Sequence, residues 1–88
     1  MLRPQLSPGR IVLSLAGRDQ GRLFVVTEEL DDQFVLIADG GLRGVDRPKK
    51  KRRKHLKATS SVMKLSVERP PMNHEIRSAL CLEPEKEG

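Results

Sequence analysis

Eighty-eight residues, 36% hydrophobic and 33% charged, suffice for one small domain whose core must be compact. A single cysteine, Cys81, excludes an internal disulfide and a thiolate-rich metal site, and no run approaches the roughly 20 apolar residues of a membrane span. The net charge of +5 is unevenly laid out: between Arg43 and Lys57 nine lysines and arginines face only Asp46, which leaves the remainder at net −3. The opening "MLRPQLSPGR" lacks the apolar run of a secretion signal, so a cytoplasmic protein is expected.

Residues 1–8 carry two prolines and no periodicity and read as a lead-in. The run 10–16 has strand character, with Ile11, Leu13 and Leu15 on one side of a period-two pattern. "GRDQG" follows, two glycines bracketing three polar residues, which is turn chemistry. A second short apolar run covers 23–26 and a third 34–38, separated by the acidic turn "EELDDQ". The third run stops at "DGGLRG", where Asp39 and three glycines permit a sharp change of direction. Strands arrive about every 11 residues on short turns, which predicts a small antiparallel barrel or sandwich. Residues 42–45 are a candidate fourth strand, and "KHLKAT" a closing strand with Leu56 inward. Met63, Leu65 and Val67 suggest an extended segment on the body.

Pro70 and Pro71 then break the chain, and Asn73 offers a cap for a helix in which Ile76 and Leu80 fall one turn apart. A helix of about ten residues is marginal alone, so it is expected to dock on the barrel or on a partner, or else to be partly unfolded. Ile76, Leu80 and Leu82 are candidate protein-contacting residues on that helix. The domain plan is thus a lead-in at 1–8, a barrel at 9–59 with its basic segment at 47–57, an extended arm at 60–72, a helix at 73–83 and a tail at 84–88.

"RPKKKRRKHLKAT" places eight cations in thirteen positions. Such a run can be a nuclear import address, a solvated tether or a phosphate-binding surface. Because it lies between two β-like segments, it is held at both ends, which favours the phosphate surface over a free tail. Cations placed on phosphates displace counterions, so binding of this kind weakens steeply with salt.

The stretch "VLSLAGRDQGRLFVV" resembles the KOW motif, which joins two strands through a glycine-bracketed turn; Gly17 and Gly21 stand where that turn has its glycines. The glycine that the most familiar KOW form carries near Phe24 is absent here. "DDQFVLIADG", followed by the basic run and "KHLKAT", is similar to the KOW proteins related to the large-subunit ribosomal protein L14e. The matching positions are Val35–Ile37, Asp39-Gly40, His55-Leu56 and Thr59. The chain looks most like a compact bacterial member of this group.

The resemblance implies a mainly β fold, a small SH3-like (KOW) barrel with a short C-terminal α-helix. It also implies RNA binding, on or near ribosomal RNA of the large subunit, with ribosomal proteins or a translation factor as further partners. The expected RNA-binding residues are Arg18, Arg43, Arg47, Lys49, Lys50, Lys51, Arg52, Arg53, Lys54, His55 and Lys57. His55 is weighed mainly as a strand residue with a locally bonded ring. A NusG-like transcription-coupled factor and a protein–protein adaptor built on the same barrel are the alternatives.

The residue types favour contacts to the RNA backbone. Trp and Tyr are absent, and Phe24 and Phe34 lie in apolar runs where core packing is the default, so exposed stacking platforms are few. No recognition helix for a DNA major groove is apparent. Glu28, Glu29, Asp31 and Asp32 lack EF-hand spacing and read as a solvated turn. His55 and His74 have no companion ligands for zinc. Ser60 and Ser61 have no base positioned by sequence, and Cys81 reads as packing on a helix. No enzyme, cofactor, metal, membrane or small-molecule substrate is expected.

Overall fold

The computed structural model describes residues 6–41, 43–65 and 71–81. Expectations resting on Leu42, Val67, Leu82 and the tail at 84–88 lie outside the described residues. Five strands form one antiparallel sheet: β1 (Arg10–Ser14), β2 (Leu23–Glu29), β3 (Phe34–Ala38), β4 (Lys49–Arg52) and β5 (Leu56–Val62). Their order is β4-β3-β2-β1-β5. A single 3-10 turn, Arg53–His55, links β4 to β5, and a helix α1 (Asn73–Cys81) follows. Pairing of the first strand with the last rolls the sheet around a core, which gives a small SH3-like barrel.

β2 explains why this sheet needs a helix. Its run Leu23, Phe24, Val25 and Val26 is fully buried, although alternate residues of a strand point to opposite faces. Phe24 and Val26 join Leu6, Val12, Val35, Ile37 and Leu56 inside the barrel. Leu23 and Val25 lie on the outer face with Ile11 and Ala38, and there Ile76 and Leu80 of α1 cover them. Ile76 is fully buried, worth about 2 kcal/mol of transfer free energy for a side chain of this size. The groove that receives Ile76 and Leu80 is therefore the barrel's own outer face, because an uninterrupted apolar strand must be covered on both sides. The lead-in contributes as well, through the buried Leu6.

Two irregularities shape the sheet. Val26 pairs with Ile37 but Glu28 with Leu36, so Thr27 is an extra residue in β2. A bulge of this kind bends the strand and reverses which residues face inward, so the apolar run gives way to exposed glutamates. On β5, Thr59, Ser60 and Ser61 stand against the single β1 residue Ile11 between the pairs Arg10–Val62 and Val12–Ala58. There the buried Thr59 hydroxyl donates to the Ile11 carbonyl oxygen at 2.7 Å and accepts from the Ser61 amide at 3.2 Å. A side chain thus stands in for missing ladder bonds, which gives a physical reason for a threonine at this position.

Residues 43–45 form no strand. The loop after β3 is instead organised by Asp39, whose Oδ1 accepts the amides of Gly41 and Arg43, both at 2.9 Å. α1 clasps this loop from behind. Asn73 Oδ1 accepts the Val45 amide at 2.8 Å, and Arg77 donates to the Gly40 carbonyl oxygen. Asn73 therefore ties helix to loop, and the amides of Glu75 and Ile76 are received by the Met72 carbonyl. Gly40 has a positive φ of 79°, and a Cβ there would press on the Asn73 carbonyl oxygen, so the close approach of α1 requires glycine.

Candidate nucleic-acid interface

The basic run does not form one uniform patch. As a strand, β4 sends alternate residues to opposite sides. Lys49 pairs with Ile37 and Lys51 with the fully buried Val35, which places both stems on the barrel's inner side. Lys51 is only 8% exposed, and its amine donates to the Ala16 carbonyl oxygen at 3.0 Å. Lys49 closes a short charge-assisted contact with Asp19. Both amines thus reach past the barrel rim to the β1–β2 turn, carrying their aliphatic stems along apolar surface. The Lys49 contact also holds the Asp19 carboxyl below the usual carboxylate range.

Lys50 and Arg52 point the other way and are exposed. The Lys50 amine sits 4.4 Å and the Arg52 guanidinium carbon 5.1 Å from the centre of the Phe34 ring. Two cations over one ring gain about 0.5–1 kcal/mol each at exposed sites, enough to hold flat what repulsion would splay. Phe34 is half-buried, so it serves this surface in addition to the sheet.

Arg53 turns back to the acidic hairpin between β2 and β3. It donates to Glu29 Oε1 at 2.9 Å and to the Asp31 carbonyl oxygen at 3.0 Å. The Asp31 side chain accepts the amides of Gln33 and Phe34, both at 2.8 Å, and these bonds lower its pKa. The acidic turn is thus a receptor for Arg53 as well as a solvated loop. Lys54 and Lys57 are exposed, and so are Arg18, Arg43 and Arg47; none of these five has an ion-pair partner among the described residues. His55 ends the 3-10 turn and is not a strand residue as expected, because the chain turns between β4 and β5 there; it is half-buried, and its carbonyl oxygen accepts the Leu15 amide at 2.8 Å.

The glycine-bracketed turn is built as its chemistry predicts. Gly17 and Gly21 have φ of 81° and 86°, and the Gly21 amide returns to the Ser14 carbonyl oxygen at 2.8 Å. Between this turn and the loop after β3 lies a cleft of about 410 Å³ lined by Arg18, Asp19, Arg22, Arg43 and Lys49. Arg22 flanked the turn in sequence without entering the set of expected contacts. It reaches this cleft because Asp39 Oδ2 receives its guanidinium at 3.1 Å. The pair joins residues 17 apart in sequence with no local motif between them, so it is seen only in the fold.

Ile76 and Leu80 face the barrel, as described, whereas Cys81 is exposed. No helix among the described residues is long and apolar enough to cross a membrane.

Fold and surface together define a small SH3-like barrel with a structured cationic exterior. No family model matches the chain. Its sequence is 38% identical over 63 residues to the large ribosomal subunit protein eL14 of Desulfurococcus amylolyticus, a match covering 70% of this chain and 65% of that protein. It is 36% identical over 64 residues to the large ribosomal subunit protein eL14 of Staphylothermus marinus, covering 72% and 66% respectively. The chain matches a little under two thirds of the length of these curated relatives. Both relatives are archaeal, whereas the sequence had pointed to a bacterial group.

Proposed function

We propose that this protein is a non-enzymatic, eL14-like KOW protein that binds structured RNA, with ribosomal RNA of the large subunit as its target. The single observation that carries the reading is the similarity to two large-subunit ribosomal proteins over some 63 residues. The surface chemistry agrees with it. Lys50, Arg52, Lys54 and Lys57 stand exposed on or beside short, well-braced strands, and Arg18, Arg43 and Arg47 stand on loops held by internal hydrogen bonds. Cations fixed on a folded scaffold lose little side-chain and loop entropy on meeting phosphates. Lys49, Lys51 and Arg53 belong to the frame that positions these groups. On this reading the protein acts in the cytoplasm, stabilising an RNA conformation or supporting neighbouring ribosomal proteins.

Sedimentation of the tagged protein through a sucrose gradient, with crosslinking to map bound RNA, tests the proposal. The expected result is co-migration with large subunits through moderate salt and crosslinks to ribosomal RNA. Recovery with RNA polymerase would favour the transcription-coupled alternative. Recovery only as free protein, without RNA crosslinks, would remove the ribosomal reading.

A further inference from the structure

The cleft between the β1–β2 turn and the loop after β3 has an electrostatic arrangement that folding alone does not call for. Four cations, Arg18, Arg22, Arg43 and Lys49, converge on it from three separate segments of chain. Like charges brought together repel, and the effect grows where the walls exclude water. Two buried carboxylates answer part of that cost. Asp19 takes Lys49, and Asp39 takes Arg22 while also receiving two backbone amides. Each acid makes its one direct ion pair with a single cation, and Asp19, which itself lines the cleft, also lies within the field of Arg43. Arg18 and Arg43 are left exposed, with no direct ion pair among the described residues, although the Asp19 carboxylate lies within the field of Arg43. Four cations against two carboxylates leave an excess of two positive charges at the mouth of a concavity.

From this the geometry points to a phosphate-binding pocket in that cleft, clamped by the guanidinium groups of Arg18 and Arg43 with Arg22 as a third donor. Guanidinium forks match phosphate oxygens in pairs, which a point-charge lysine does not. Asp39 fixes Arg22 through one oxygen and the backbone of the Arg43 loop through the other, so one carboxylate positions two of the three arginines. α1 braces the same loop through Asn73 and Arg77. The pocket therefore exists before any ligand arrives. The inference rests on the RNA-binding reading and deepens it: the pocket takes a backbone phosphate of the bound RNA and sets its register on the barrel, whereas the Lys50–Lys57 surface contributes charge without a defined seat.

The test has two arms on the full chain. In the first, inorganic phosphate is titrated at constant ionic strength while amide and arginine side-chain resonances are followed by NMR. Shifts concentrated in residues 17–22 and 39–44 and in the side chains of Arg18, Arg22 and Arg43 are expected. Equal shifts spread over Lys50–Lys57 would overturn the pocket. In the second, the double variant Arg18→Gln/Arg43→Gln is compared with the wild type on a structured ribosomal RNA fragment. Affinity should fall roughly tenfold and the log–log salt slope should flatten by about 1 to 2. An unchanged affinity and slope in a variant of unchanged circular dichroism would overturn the inference and leave the general RNA reading standing. A wild type that binds no RNA, yet collects phosphate in the cleft, would remove the RNA reading and keep the anion pocket. Both substituted residues are exposed, so the fold is expected to survive their replacement.

Discussion

Lys50 and Lys51 are neighbours with the same side chain and opposite fates. Lys50 lies exposed over the Phe34 ring, whereas Lys51 is buried with its amine on the Ala16 carbonyl oxygen. The same contrast extends to Arg52 and Lys54 on the exposed side and to Lys49 and Arg53 on the engaged side. A charge run that crosses a strand is sorted by the strand's two-residue period into scaffold and surface. Net charge alone would assign all of these residues to a partner. Here half of the run's dense centre, three of the six cations from Lys49 to Lys54, instead braces the turns that display the remainder.

The sharpest way to break this contrast is charge reversal at the two neighbours. Lys51→Glu would place a carboxylate against a carbonyl oxygen and apolar wall, and should cost about 3 kcal/mol or more in urea denaturation. Lys50→Glu should stay within about 0.5 kcal/mol of wild type, since it loses one exposed ring contact and relieves crowding among cations. Equal stabilities for the two variants would mean that the strand does not divide the run. A smaller effect is expected at the 3-10 turn. Arg53→Gln should cost about 0.5–1 kcal/mol, because its partner Glu29 is itself largely exposed, while Lys54→Gln should change stability negligibly.

The Asp19–Lys49 contact adds a pH dependence of defined sign. The Asp19 pKa is lower in the folded state than in the unfolded chain, so this contact's stabilisation is complete above the ordinary carboxylate range. It is lost as pH falls through the depressed folded value. Asp19→Asn should therefore cost under about 1 kcal/mol at neutral pH and should show a flatter acid limb than wild type. Denaturation midpoints measured from neutral pH into the acid range check this; identical acid limbs would show that Lys49 does not hold the carboxylate.

Much of the barrel was legible in the sequence because its signals are local. β1, β2, β3 and β5 follow from apolar runs and glycine turns, and Leu56 points inward as its setting among lysines suggested. β4 was hidden, since the tetrapeptide Lys49–Arg52 has poor strand propensity and no apolar residue to reveal its period. Its pairing with β3 comes from the tertiary frame. The fate of α1 was legible only in combination: a short apolar helix needs a surface, and the four-residue apolar run of β2 leaves one face uncovered. Read separately, Ile76 and Leu80 pointed to a partner; read together with Leu23 and Val25, they close the domain's own second core. The Arg22–Asp39 pair spans 17 residues and carries no local pattern, so only the fold brings it into view.

On the proposed reading, the exposed half of the basic run, and not its total charge, meets RNA phosphate. This is tested most directly by the salt dependence of binding to one structured ribosomal RNA fragment for wild type, for Lys50→Gln/Arg52→Gln/Lys54→Gln/Lys57→Gln, and for Arg53→Gln. The quadruple variant should flatten the log–log slope by about 3 and lose affinity by about a hundredfold or more, while Arg53→Gln should keep the wild-type slope. A quadruple variant that is folded and binds with the wild-type slope would show that these four side chains do not meet phosphate.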